Sequence, residues 1–76
     1  MVEFQTIKSE EIKFGGSNFI EVARKKAITA EGEREFISIS RGLYTLDKVK
    51  RYRKSFTIPD EKEVIDFIVD KIKEMI

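Results

Sequence analysis

Lys48, Lys50, Arg51, Arg53 and Lys54 place five positive charges in seven positions, with Tyr52 among them. On an extended strand, alternate side chains leave the same face every 6.6 to 7 Å or so, close to the phosphate repeat of an extended single-stranded nucleic acid. Each phosphate neutralised on a single strand contributes about −0.7 to the slope of log affinity against log salt. Aromatic rings supply the complementary chemistry, because bases stack on Tyr or Phe for about 1 to 3 kcal/mol each without regard to sequence. Tyr44 and Tyr52 are the candidate platforms, and Arg24, Lys25 and Lys26 form a second basic group upstream. The same run also suits a solvated face or an edge strand protected by charge against further pairing. The two tyrosines equally suit half-buried positions at a sheet edge.

The charge is segregated along the chain. The 76 residues carry a net +1. Residues 17–58 hold ten basic and five acidic side chains, whereas residues 59–76 hold three basic and six acidic ones. The lead-in, residues 1–16, has Lys8 and Lys13 against Glu3, Glu10 and Glu11. A basic middle is therefore joined to an acidic end. There is no His and no Cys, which removes thiolate and imidazole metal sites and the commonest general base. Glu31, Glu33 and Glu35 read as solvated turn residues, and no glycine-rich phosphate loop stands between a strand and a helix. No catalytic residue, metal or cofactor is expected, so the chain reads as a binding protein rather than an enzyme.

Four strands and one helix must position these residues, within a single domain spanning residues 1–76. Asn18 to Thr29 alternates Ile20, Val22 and Ile28 with polar neighbours. A turn at Ala30 to Glu33 follows, with Gly32 supplying positive φ. Glu35 to Thr45 is the next strand, and after Leu46-Asp47 the chain returns as KVKRYRKSFTI to Ile58. Upstream, Glu10 to Phe14 forms a short strand closed by Gly15-Gly16-Ser17, and residues 1–9 add a further extended piece. Strands thus occupy residues 10–58. Parity splits the basic cluster, with Arg51, Arg53 and Ser55 on one side and Lys50, Tyr52, Lys54, Phe56 and Ile58 on the other. Absent a twist or bulge, one face cannot hold them all. The first set is assigned to the binding groove, because Phe56 and Ile58 should turn toward the helix.

Pro59 ends the strands, Asp60 is the expected N-cap, and Glu63 completes a capping box for a helix over residues 60–75. Its apolar positions, among them Val64, Ile65, Phe67, Ile68, Val69, Ile72 and Met75, make a stripe wider than the roughly 100° needed to cover one sheet. Either the helix makes a thick contact within the chain, or Val64, Phe67, Ile68, Ile72 and Met75 meet the same helix of a second copy. A 76-residue domain is marginal alone, burying only about 60% of its extended surface, which favours a homodimer.

The stretch FISISRGLYTLDKVKRYRKSFTIPDEKEVIDFIVDKI resembles the single-stranded DNA-binding domain of the transcriptional coactivator Positive Cofactor Four. The shared pattern is an apolar strand leading into Arg41 with Tyr44, a turn, the pair Arg53-Lys54, an apolar strand end at Phe56 to Ile58, and an amphipathic helix. The similarity extends over about residues 10–75. The interval from Arg41 to Arg53 is shorter than the family's, and Tyr44 stands where a larger aromatic is usual, so either Ser40 or Arg41 occupies the equivalent position. The resemblance implies an α+β fold in ββββα order, a four-stranded antiparallel sheet with one C-terminal amphipathic helix, dimerising through the helix, with the sheets forming a basic groove for unpaired DNA. The nucleic-acid-binding residues it and the charge pattern nominate are Arg24, Lys26, Arg41, Tyr44, Lys50, Arg51, Tyr52, Arg53 and Lys54.

Single-stranded DNA is the expected partner, in transcription, replication or repair. Single-stranded RNA is a second candidate, because stacking and phosphate contact do not distinguish the sugar. The rival reading is a dimeric interaction module whose basic sheet meets an acidic protein such as a transcription factor. A membrane partner is not expected, because the helix is acidic and no apolar run approaches the roughly 20 residues that span a bilayer. The start, MVEFQTIKSEE, lacks the features of a cleaved leader. Charged residues make up 38% of the chain against a usual 25% or so, with a single Gln and a single Asn, a usage like that of thermophiles. An unprocessed, cytoplasmic protein, nucleoid-associated if prokaryotic, is the expectation.

Overall fold

The computed structural model describes residues 2–76. Four strands, β1 (Glu3–Phe14), β2 (Asn18–Thr29), β3 (Gly32–Tyr44) and β4 (Lys50–Pro59), are followed by one helix, α1 (Lys62–Glu74). The strands form one antiparallel sheet in the order β1-β2-β3-β4, each paired with its neighbour in sequence. The expected ββββα order is therefore observed.

Local chemistry sets the two later turns. Between β2 and β3 only Ala30 and Glu31 lie outside the ladder, and Thr29 opposes Gly32, whose φ is 137°. The Thr29 hydroxyl donates to the Gly32 carbonyl at 3.2 Å and accepts from the Glu31 amide at 3.2 Å, closing the turn without another residue. Between β3 and β4, Thr45 organises the loop. Its amide donates to the Val49 carbonyl at 3.0 Å, its carbonyl accepts from Lys48 at 2.8 Å, and its hydroxyl accepts from the Val49 amide at 3.2 Å.

Strand β1 runs well beyond the expected Glu10 to Phe14, taking in the extended piece upstream. The reason it is hard to read is a register shift between Thr6 and Lys8, which puts Phe4 and Phe14 on opposite faces and breaks their alternation. A second shift lies between Arg41 and Gly42 of β3. Lys54 opposes Arg41 and Tyr52 opposes Gly42, leaving Arg53 as an extra residue on β4. Both edge strands thus carry a bulge, a device that discourages further pairing at an exposed sheet edge.

The register sorts the side chains into two faces. One, the aliphatic face, bears Ile12, Phe14, Ile20, Val22, Ile37, Ile39, Leu43, Phe56 and Ile58. The other is polar and aromatic, with Phe19, Glu21, Ala23, Phe36, Ser38, Ser40, Tyr44, Tyr52 and Ser55. The buried apolar side chains are Phe19 and Ala23 on the polar face and Ile58 on the aliphatic one. The hydroxyls of buried Ser38 and Ser40 both pair with that of Ser55, at 3.4 and 3.0 Å. Phe56, expected to turn toward the helix, is 59% exposed.

The helix begins two residues later than expected, and the capping box does not form. Glu61 is the N-cap and makes no side-chain cap. Asp60 instead gives both carboxylate oxygens to the Arg24 guanidinium, at 2.8 and 3.0 Å, a bidentate pair that fixes the junction to β2. Among the described residues α1 approaches only β4 of its own sheet. Val64, Ile65 and Ile68 are half-buried, while Phe67, Ile72 and Met75 are 62, 57 and 83% exposed.

Candidate nucleic-acid interface

The buried ring of Phe19 organises one end of the polar face. Tyr52 meets it edge-on with ring centroids 5.4 Å apart, Tyr44 leans on it at 5.3 Å, and the Lys50 ammonium lies 4.7 Å from its centroid. Edge-to-face contacts of this kind add about 0.5 to 1.5 kcal/mol to area burial. Above Phe19, the Lys50 ammonium donates to Glu11 of β1 and Glu21 of β2, each at 2.8 Å. Tyr44 donates to Glu11 at 2.5 Å and Tyr52 to Glu21 at 3.2 Å. The network ties all four strands together. It holds the Lys50 ammonium well above the ordinary lysine range, through Glu11 first and then Glu21. Beside Lys50 and the Tyr44 hydroxyl, the Glu11 carboxyl is held below the usual carboxylate range, and the Tyr44 phenol is raised by donating its hydrogen bond to Glu11. Tyr52 keeps 54% of its surface exposed, with the Lys50 ammonium 5.2 Å from its ring centroid.

The margin of β4 is different in kind. Arg41 and Lys54 stand directly opposite each other in the β3–β4 register, and Arg51 opposes Leu43 one row on. None of Arg41, Arg51, Arg53 and Lys54 makes a salt bridge among the described residues. The Arg41 guanidinium rests 5.5 Å from the centroid of Phe14. Like charges placed directly opposite across a ladder are destabilising, by some tenths of a kcal/mol up to about 1. Because β4 is the outermost strand, long basic side chains from either face reach its free margin.

The bulge also revises the parity expectation. Arg51, Arg53 and Ser55 do not share one groove face. The extra residue at Arg53 puts Ser55, Tyr52 and Lys50 on the polar face and leaves Arg51 with Lys54 on the aliphatic side. Gly42 permits this. A Cβ there would stand 2.1 Å from the Arg51 carbonyl and 2.8 Å from the Phe19 ring, so no other residue lets the bulged strand approach so closely.

Of the nine nominated residues, the structure brings Tyr44, Lys50 and Tyr52 together on the polar face and Arg51, Arg53 and Lys54 along β4, with Arg41 opposite Lys54 on β3 and its guanidinium turned toward Phe14 of β1. Arg24 and Lys26 are apart from both, on β2 of the aliphatic face, matched by Asp60 and Glu35 and by Glu33 respectively. Glu11, Glu21, Phe19 and Gly42 belong to the site although nothing in their local spacing marks them. Their roles come from register between strands distant in sequence. Among the described residues no group of three or more potential metal ligands is present, and no helix is long and apolar enough to cross a membrane. No protein-family model, curated protein or solved structure matches this chain.

Proposed function

We propose that the protein binds single-stranded DNA with little dependence on sequence, as a homodimer, with phosphates along the β4 margin and bases on Tyr52 and its neighbours. The observation that carries this reading is the set Arg41, Arg51, Arg53 and Lys54. None of the four makes a salt bridge among the described residues, Lys54 stands opposite Arg41 in the register, and Arg51 and Arg53 flank the half-exposed Tyr52 in sequence. Four neutralised phosphates would give a salt slope near −3, at about −0.7 each. The resemblance to Positive Cofactor Four is in accord with the reading, and a place in transcription, replication or repair follows from it as a proposal only.

Surface area supports the homodimer. The chain exposes 6453 Å², whereas a compact monomer of 8.9 kDa exposes about 4,800 Å². The excess is of the order that one partner contributes to a large interface. The exposed apolar side chains include the stripe of α1 (Phe67, Ile72 and Met75) and part of the aliphatic sheet face (Ile12, Val22 and Phe56).

Fluorescence anisotropy with an unpaired oligonucleotide, its duplex and an RNA of the same sequence, at two salt concentrations, tests the binding. Salt-sensitive binding of the unpaired DNA is expected. Its absence, with binding to an acidic protein surface retained, would replace this reading with that of an interaction module. Light scattering after gel filtration should give twice the chain mass at micromolar concentration, and a monomer would remove the homodimer.

A further inference from the structure

The polar face contains two acids where a nucleic-acid surface would ordinarily be expected to hold none. Among the described residues, Glu11 and Glu21 are the carboxylates that hydrogen-bond the cluster around Phe19, and between them they occupy the Lys50 ammonium and both phenols. Their side chains are 27 and 13% exposed, so they are fixed features rather than tips swaying in solvent. Charge near the tyrosines is therefore balanced, with Lys13 and Lys50 set against Glu11 and Glu21. Along β4, in contrast, Arg51, Arg53 and Lys54, with Arg41 opposite on β3, are unopposed.

We infer that Glu11 and Glu21 determine selectivity for unpaired over duplex nucleic acid, by excluding phosphate from the aromatic end of the polar face and reserving it for uncharged bases. The inference rests on the nucleic-acid reading above. An anionic backbone crossing the face would meet two fixed negative charges, with the Lys50 ammonium between them already satisfied twice and Lys13 the one further cation beside Tyr44. A base meets instead the half-exposed ring of Tyr52 and carboxylate oxygens that accept hydrogen bonds. A single strand satisfies both regions at once, its phosphates along β4 and its bases turned inward. A duplex stacks its bases inside and has only phosphate to offer the aromatic end, where Glu11 and Glu21 stand. Discrimination then comes from a repulsive element built into the site as much as from attraction elsewhere.

The test compares the full-length protein with the double variant Glu11→Gln, Glu21→Gln, which keeps shape and hydrogen-bonding capacity while removing both charges. Affinities for one unpaired oligonucleotide and its duplex are measured by anisotropy at fixed salt, after thermal melts have established folding. Duplex affinity should rise by about two- to threefold and affinity for the unpaired strand by less, narrowing the ratio between them; that size reflects two charges acting at about 7 Å through screened solvent. If the starting protein binds the unpaired strand in a salt-dependent way but the ratio is unchanged in the variant, the inference is overturned while the nucleic-acid reading stands. If the starting protein binds neither form, the reading itself fails. Should the double variant not fold, Glu11→Gln alone, on the exposed edge strand, must still narrow the ratio, and an unchanged ratio there overturns the inference equally.

Discussion

At the end of the sheet nearest the helix, Arg24 and Lys26 lie among carboxylates; at the far end, Arg41, Arg51, Arg53 and Lys54 lie among none. Both groups look alike in the sequence, as basic residues spaced along a strand. Their difference comes from what the fold carries to them. The β2–β3 hairpin returns Glu35 opposite Lys26 and brings Glu33 within 3.4 Å of its ammonium, and the junction into α1 delivers Asp60 to Arg24. No such return serves β4, whose outer side has no neighbouring strand and whose one inner partner, β3, offers Arg41 and Leu43. A basic cluster is thus structural where register supplies counter-charge and available for a ligand where it does not.

The most severe way to break this contrast is to abolish the bulge. Gly42→Ala drives a methyl group into the Arg51 carbonyl and the Phe19 ring, and should cost about 3 kcal/mol, read as a lower denaturation midpoint at unchanged m-value. A midpoint equal to the parent's would mean that the close approach is not maintained in solution. Next in size, Arg24→Ala should lower the melting temperature through loss of the Asp60 clamp while leaving the salt slope of oligonucleotide binding unchanged. A flattened slope would show that Arg24 contacts phosphate after all.

The smallest effect is on pH dependence. Glu11 and Asp60 are held below the usual carboxylate range by Lys50 and Tyr44 and by Arg24, respectively. A depressed folded-state value means stability that is present at neutral pH and lost as pH falls below about 4. Tyr44 and Lys50 are raised, so their contribution is present at neutral pH and lost as pH climbs beyond about 10. Thermal melts should therefore show a plateau bounded on both sides. Glu11→Gln should weaken both limbs, whereas Arg24→Ala should weaken only the acid one. An alkaline limb unaffected by Glu11→Gln would contradict the Tyr44 and Lys50 assignment.

Much of the fold follows from periodicity that survives in single segments. Ile20, Val22 and Ile28 mark β2, Ile37, Ile39 and Leu43 mark β3, and the spacing of Val64, Ile65, Ile68 and Ile72 marks α1. What periodicity could not convey were features that change parity or cross strands. The extra residue at Arg53 inverts the assignment of Arg51 relative to Ser55, and the shift after Thr6 conceals the first half of β1. Asp60 has the composition of an N-cap, yet a bidentate guanidinium competes with the helix amides for its carboxylate and wins. The Glu11–Lys50–Glu21 network joins residues 39 and 29 positions apart, which only the register of three strands brings together.

The most direct test sets the two basic groups against each other in one titration series. The salt slope for an unpaired oligonucleotide is measured for the parent protein, for Arg51→Ala with Arg53→Ala, and for Arg24→Ala with Lys26→Ala. Loss of the β4 pair should flatten the slope by about 1.4, two phosphates at about 0.7 each, and weaken binding at low salt. Loss of the β2 pair should leave the slope where it was. Equal flattening by both pairs, or none by the β4 pair, would contradict the assignment of phosphate to the β4 margin.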